Sequence, residues 1–213
     1  ILLGLDTSHS EGSLCLQRDS QVLEFLEWKQ EKSHAELVAG FLVKTFKTHN
    51  IDQNDVDTYV VNIGPGSFTG IRIGINTIKS LSFVTHKPIY TFNSLETIAQ
   101  SCSHENKNLV VAINAHSELC YVGKFVNDGN MWKSQETIEV LPAGKLNELL
   151  LSPDTLFVGD AFEVYKDKIN HSVQKPKEHF DIPTAKHLNQ LALRSGKKSI
   201  SWEALEPFYV RLS

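Results

Sequence analysis

The sequence predicts an α/β chain built as two similar halves, each a mixed, five-stranded type of sheet flanked by helices. Three observations carry that expectation. Short apolar runs alternate with amphipathic helical stretches along the chain. The order three strands, helix, strand, helix, strand, helix over residues 1–102 is followed by a similar order from residue 109 onward. Between them the polar run Ser103-His104-Glu105-Asn106-Lys107-Asn108 is a natural hinge. The expected division is therefore 1–103 and 104–213, with residues 184–213 free to pack back on the first half.

The first strand is Ile1-Leu2-Leu3-Gly4-Leu5, which ends at the Asp6-Thr7-Ser8 turn. Residues 13–17 and 22–28 give a hairpin around the turn-forming Arg18-Asp19-Ser20-Gln21. Ser33-x-x-Glu36 has the pattern of a capping box, and Leu37, Val38, Phe41, Leu42, Thr45 and Phe46 make a wide apolar stripe to about Thr48. A fourth strand over 57–63, a helix over 69–85, a strand over 88–91 and a helix started by Ser94 complete the half. In the second half, 109–113, 119–126 and 131–140 read as strands, 143–151 as a helix, 155–158 as a strand and 161–169 as the start of another helix. Pro183 precedes a last helix at 184–195.

A formal charge of −4 and a pI near 6.1 argue against a protein that binds nucleic acid unaided, which needs a basic surface to displace counterions. A local basic patch remains around Lys186, Arg194, Lys197 and Lys198, with a solvated helix face as the simpler reading. The three cysteines, Cys15, Cys102 and Cys120, form no Cys-x-x-Cys pair, which fits a reducing compartment. The apolar start is cut short by Asp6, far below the length of a signal peptide or a membrane span. The expectation is a cytoplasmic protein without a membrane segment.

The most distinctive stretch is Asn62-Ile63-Gly64-Pro65-Gly66-Ser67-Phe68-Thr69-Gly70-Ile71-Arg72-Ile73-Gly74. A strand, a glycine-proline turn and a helix start are a common phosphate cradle, because helix N-termini present free N–H groups. Yet no Gly-x-x-x-x-Gly-Lys-Ser/Thr is present, and no lysine follows until Lys79. Gly70 and Gly74 stand four apart on one helix face, and helix-interior glycines cost about 1 kcal/mol each, which points to close packing. Ser67 sits on a strand-to-helix turn but not in Gly-x-Ser-x-Gly, so Ser67 or Thr69 reads as a helix cap. No histidines are spaced His-x-x-x-His and no Cys/His cluster has finger-like spacing, so no metal is expected. Arg72, a cation in the first helical turn, opposes the macrodipole and calls for a partner inside the chain or across an interface.

The element order resembles the paired ribonuclease-H-like domains of the actin, Hsp70 and sugar-kinase ATPases. That resemblance places Asp6 where a magnesium-positioning carboxylate would stand, a weak nucleotide-site candidate, and Asn114 at its uncharged counterpart. The turn sequence itself resembles the signature of the bacterial TsaB (YeaZ) family. Leu5-Asp6-Thr7-Ser8, Ser33-His34-Ala35-Glu36-Leu37, Asn93-Ser94-Leu95-Glu96 and Pro207-Phe208-Tyr209-Val210-Arg211 agree in order and spacing. One departure is Asn114-Ala115-His116, where the family usually has Asp-Ala-Arg. The resemblance implies a non-catalytic subunit, without cofactor, in the pathway that places N6-threonylcarbamoyl on adenosine 37 of tRNAs reading codons that begin with A. Its implied partners are a TsaD-like catalytic paralogue, a TsaE-like ATPase in a larger complex, a second copy of itself, and tRNA indirectly. TsaC-type enzymes would supply the threonylcarbamoyl-adenylate. The expected docking face is the helix pair at 33–48 and 69–85, through Leu37, Phe41, Phe68, Gly70, Arg72 and Gly74, with the two glycines permitting close approach. The alternatives are a nucleotide-dependent phosphotransferase of the sugar-kinase type, or a glycopeptidase-like hydrolase using Ser67.

Overall fold

The computed structural model describes residues 1–29, 34–103, 107–151 and 154–210. Two compact units emerge. The first joins Ile1–Ser94 to Thr184–Phe208, and the second joins Leu95–Pro183 to the stretch starting at Tyr209. Ser33, Arg211 and part of the expected hinge (104–106) lie outside the described residues.

In the first unit, strands β1 (Leu2–Asp6), β2 (Glu11–Arg18), β3 (Gln21–Lys29), β4 (Thr58–Asn62) and β5 (Ile89–Phe92) form one sheet in the order β3-β2-β1-β4-β5. The β1-β2-β3 part is antiparallel, and β4 and β5 add to it in parallel. Period-two alternation then assigns the faces. Leu3, Leu5, Leu14, Leu16 and Val61 point to one side, where they share a core with Val38 and Leu42 of helix α1 (His34–Thr48) and Ile71, Ile75 and Ile78 of helix α2 (Phe68–Thr85). Gly4 and Cys15 face the other side, where helix α6 (Ala185–Arg194) lies across β1, β2 and β4. Thr184 caps α6, and Ser13 Oγ accepts from Ala185 N at 2.8 Å. A return segment thus completes the first unit's second layer.

In the second unit, β6 (Asn108–Asn114), β7 (Leu119–Asn127), β8 (Trp132–Ser134), β9 (Glu139–Pro142) and β10 (Thr155–Val158) make a mixed sheet in the order β10-β6-β7-β8, with β9 also on β7. Leu109, Val111 and Ile113 pack with Leu95, Ile98 and Ala99 of helix α3 (Ser94–Gln100). That packing places α3 with the second sheet, so the division falls before this helix rather than after it, as 1–103 would have it. On the other face, Val110 and Ala112 meet Leu146 of helix α4 (Leu146–Leu149) and Ala161 and Phe162 of helix α5 (Ala161–Val164).

Two second-half expectations differ in detail. The single strand expected over 131–140 is split into β8 and β9. The helices expected from 143 and 161 are one-turn α4 and α5, each flanked by a 3-10 turn.

Candidate functional site: a closed turn cluster and an exposed helix pair

β1 and β4 are parallel neighbours, so Asp6 and Asn62 stand together at their carboxyl ends, where ligands bind in open α/β sheets. Here the position is filled from within. Asp6 is only 1% exposed. Its Oδ1 accepts from Ser8 N and Ser8 Oγ, both at 2.8 Å, and its Oδ2 accepts from Asn62 Nδ2 at 2.7 Å. Asn62 Nδ2 also reaches Ser8 Oγ at 3.0 Å, and Asn62 Oδ1 accepts from Gly64 N at 2.9 Å. Ser94 Oγ donates to Pro65 O at 2.6 Å and lies 3.1 Å from Asn62 Oδ1. Half-buried His9 places Nδ1 3.0 Å from Ser8 Oγ. Burial raises the Asp6 carboxyl above its usual range against these donors, and burial lowers His9, with the Asp6 charge opposing. Within the first unit the cluster ties the β1 turn to the cis Gly64-Pro65 turn and to Ser94.

Behind it the glycines of the turn motif find their neighbour. Thr7 Oγ1 donates to Gly70 O at 2.7 Å, and a Cβ on Gly70 would overlap the Thr7 carbonyl oxygen. A Cβ on Gly74 would sit 2.6 Å from Thr7 Oγ1. Gly70 and Gly74 are both buried, so their expected place on a partner-facing surface is corrected: the close approach they permit is that of their own β1 turn. Ser67 is the α2 cap, accepting from Gly70 N at 3.2 Å and donating its own N–H to Ser8 O at 2.7 Å. Among the described residues, no imidazole hydrogen-bonds to its hydroxyl, as a nucleophile would need.

The other four interface residues lie on or next to the outer side of α1 and α2. Leu37 and Phe41 are half-buried, packed against the core, with the Phe41 ring 4.9 Å from Trp28. Phe68 is 56% exposed and carries the Arg72 guanidinium 4.0 Å above its ring. With α2 starting at Phe68, Arg72 stands just past the first turn rather than in it, and the stacking holds its charge over an aromatic face. A further residue of α1 carries no such signal in the sequence. Gly40 is exposed in the middle of α1, where a Cβ would meet nothing within 4 Å. Ala39 is exposed beside it, and Val43 is 53% exposed one turn on. A helix-interior glycine costs about 1 kcal/mol relative to alanine, and nothing among the described residues requires this one.

In the second unit the parallel pair β6 and β10 repeats the arrangement with the groups exchanged. Asn114 ends β6, and Asp160, directly after β10, accepts from Asn114 N at 2.8 Å. Burial is the main cause that raises the Asp160 carboxyl, and nearby Asp181 adds to it. Asn114 Oδ1 accepts from His116 N at 2.8 Å and from the Tyr165 hydroxyl at 2.7 Å. The departure at Asn114-Ala115-His116 opens a left-handed turn, with φ of 61°, 49° and 62° at His116, Ser117 and Glu118. Sequence order alone pairs Asp6 with uncharged Asn114 and overlooks Asp160, whose only signal is a Gly-Asp turn after a strand.

Among the described residues, no group of three His, Cys, Asp or Glu side chains is placed to hold a metal ion, and no helix is long and apolar enough to cross a membrane.

Comparison with known proteins adds the family. The model of the family described as "TsaD: tRNA N6-adenosine threonylcarbamoyltransferase" matches residues 28–211. A curated relative, the tRNA threonylcarbamoyladenosine biosynthesis protein TsaB of Escherichia coli (strain K12), is 26% identical over 219 aligned positions, covering 99% of this chain and 94% of that protein. The TsaB protein of Buchnera aphidicola subsp. Schizaphis graminum is 27% identical, covering 88% and 90%. A solved structure described as an uncharacterized protein with similarity to peptidase YEAZ from Pseudomonas aeruginosa shares the fold, with a TM-score of 0.84 at 22% identity and 99% coverage of both chains. The full-length correspondence to TsaB proteins agrees with the Gly64–Gly74 turn, and the chain belongs to the family of the TsaD model and, within it, to the TsaB (YeaZ) proteins.

Proposed function

We propose that this chain serves tRNA threonylcarbamoyladenosine biosynthesis as a non-catalytic subunit that docks a TsaD-like paralogue through the outer face of α1 and α2. The pathway comes from the names of its TsaB relatives, and the partner from the TsaD family model. The observation that carries the docking reading is Gly40. It is an exposed, helix-interior glycine that no contact among the described residues requires, beside Ala39 and Val43, on the helix neighbouring the Phe68–Arg72 stack. A small ridge lets a partner helix come close, where dispersion contacts add up and water is excluded. Phe68 supplies apolar area for burial, and Arg72, held over its ring, supplies a donor fork for a partner carboxylate.

The non-catalytic part rests on Asp6. A carboxylate that positions magnesium must present an oxygen to the ion, and both Asp6 oxygens already accept bonds from the chain's own groups. In this reading the two units descend from paired ribonuclease-H-like ATPase domains. The protein works in the cytoplasm, a TsaE-like ATPase joins the larger complex, and a second copy occupies the same helix face when the paralogue is absent.

Calorimetry of the isolated chain with Mg·ATP separates this reading from a phosphotransferase. The expected result is no binding with turnover. Tight Mg·ATP binding accompanied by hydrolysis, abolished by Asp6→Ala, would overturn it. Gel filtration with the TsaD-like paralogue is expected to give a heterodimer that Gly40→Leu weakens.

A further inference from the structure

Where α6 ends, residues 195–203 turn and run beside β5. Ile200 exchanges two backbone hydrogen bonds with Ile89, at 2.9 and 2.8 Å, and the Lys197 ammonium lies 4.8 Å from the centroid of the Phe92 ring. This stretch brings three exposed cations, Arg194, Lys197 and Lys198, into one short segment. Arg194 and Lys198 differ from several lysines of the second unit. Lys124, Lys145, Lys166, Lys168 and Lys175 each have a carboxylate oxygen within 4.0 Å. Among the described residues, no such ion pair joins Arg194 or Lys198.

The segment leads directly into a cleft of about 420 Å³ between the end of α2 and residues 199–203, lined among others by His86, Lys87, Ser199, Trp202 and Glu203. Lys87 has only a 4.0 Å approach to Asp57 as an ion pair. The Glu203 charge is met locally: the Ser201 side chain, first, and its own backbone N–H hold the carboxyl below its usual range, with His86 and Lys79 nearby. Trp202 is braced edge-on by Phe83, ring centroids 5.0 Å apart, while remaining half-buried on the cleft wall. Arg194 and Lys198, joined by no ion pair among the described residues, lie with Lys197 on a stretch that ends at a braced aromatic in a nucleotide-sized cleft; these are the two parts that single-stranded nucleic acid binding combines, a phosphate track and a stacking platform.

We propose that Arg194, Lys197 and Lys198, together with the Trp202 cleft, form a binding surface for single-stranded RNA. The choice of RNA over another polyanion rests on the tRNA-pathway reading above; the surface itself rests on its charges and geometry. It lies on the return segment and at the opposite end of α2 from Phe68, so RNA contact and docking of the paralogue through Phe68 are separable.

The test uses the whole chain and a fluorescein-labelled decauridylate, with anisotropy titrations between about 50 and 200 mM salt. The wild-type chain is expected to bind with an affinity that falls log-linearly with salt. The double variant Arg194→Ala/Lys198→Ala alters two exposed side chains and is expected to keep its melting temperature. Two lost phosphate contacts should reduce the salt slope by about 1.4, at about 0.7 per contact.

Trp28 and Trp132 are buried, so quenching of tryptophan fluorescence by the oligonucleotide reports Trp202. Trp202→Phe should keep the anisotropy change and lose the quenching. No anisotropy change at the lowest salt, or an unchanged slope in the double variant, would overturn the proposal. So would polyglutamate competing as well as RNA without any quenching, which would mark an acidic-peptide surface. Gel filtration of the same variants with the TsaD-like paralogue is expected to be unaffected, so failure of the RNA surface stays distinguishable from failure of the docking reading.

Discussion

Gly40 offers the clearest separation of fold from function, because its place inside a helix and its proposed place at the docking face predict effects of opposite sign. In the isolated chain a methyl group at this position meets none of the described residues within 4 Å. Gly40→Ala therefore gains only helix propensity and loses unfolded-chain freedom, worth about 1 kcal/mol. For a chain of 213 residues, that raises the melting temperature by about 2–4 °C. Gly40→Leu should also leave the monomer at least as stable, since the larger side chain points into open space. At a close helix crossing the same isobutyl group must be accommodated by a packed partner surface. Overpacking of that kind costs about 1–3 kcal/mol, or a loss of roughly 5- to 150-fold in affinity for the paralogue. The assay pairs thermal unfolding of each variant with sedimentation equilibrium against the TsaD-like protein. A Gly40→Leu monomer that is stable and binds the paralogue with wild-type affinity would rule out docking at Gly40. A Gly40→Ala monomer that melts lower would show that Gly40 already supports a contact inside the chain.

The other glycines should behave oppositely. Gly70→Ala drives a methyl into the Thr7 carbonyl and disturbs the Thr7 Oγ1 to Gly70 O bond, so a loss of about 2–4 kcal/mol is expected in urea unfolding despite the propensity gain. His187 is buried against Thr184 and its pKa is lowered from 6.5 to about 4, first by burial and then by Lys186. A folded value below the unfolded one means the fold favours the neutral ring. Stability is then intact above pH 6.5, falls as pH drops through that window, and levels off below about 4, by on the order of 3 kcal/mol. Comparing urea midpoints at neutral and mildly acidic pH checks this, and His187→Leu should flatten the dependence. Cys15, Cys102 and Cys120 are buried, and burial pushes each thiol up to about 12. A thiol-specific disulfide reagent should therefore leave the native chain unmodified and label all three once it is unfolded.

Periodicity and punctuation made the first unit legible. The hairpin of β2 and β3, the strand-turn-helix at Gly64–Gly74 and the α1 stripe follow from patterns a few residues long. The direction of the α2 glycines did not. Four-residue spacing puts Gly70 and Gly74 on one helix face, but which neighbour that face meets depends on Thr7, some sixty positions away in the chain. Gly40 gave the reverse problem, because a glycine in an amphipathic stretch looks the same whether its surroundings are crowded or open. In the second unit the short helices α4 and α5 gain little from propensity and are held mainly by packing against β6, so their true lengths carried little local signal. Asp160 escaped notice because its partnership with Asn114 crosses between parallel strands that are far apart in sequence.

The proposed role is to support tRNA threonylcarbamoylation by docking rather than by chemistry of the chain's own. Reconstitution of the modification on unmodified tRNA from purified TsaC-type, TsaD-like and TsaE-like proteins, with this chain present, absent or replaced by Gly40→Leu, tests that claim directly. Product is expected with the wild-type chain, none without it, and a deficit with Gly40→Leu that raised protein concentration restores. Full modification in its absence, or threonylcarbamoyl transfer by this chain without the TsaD-like protein, would contradict the claim.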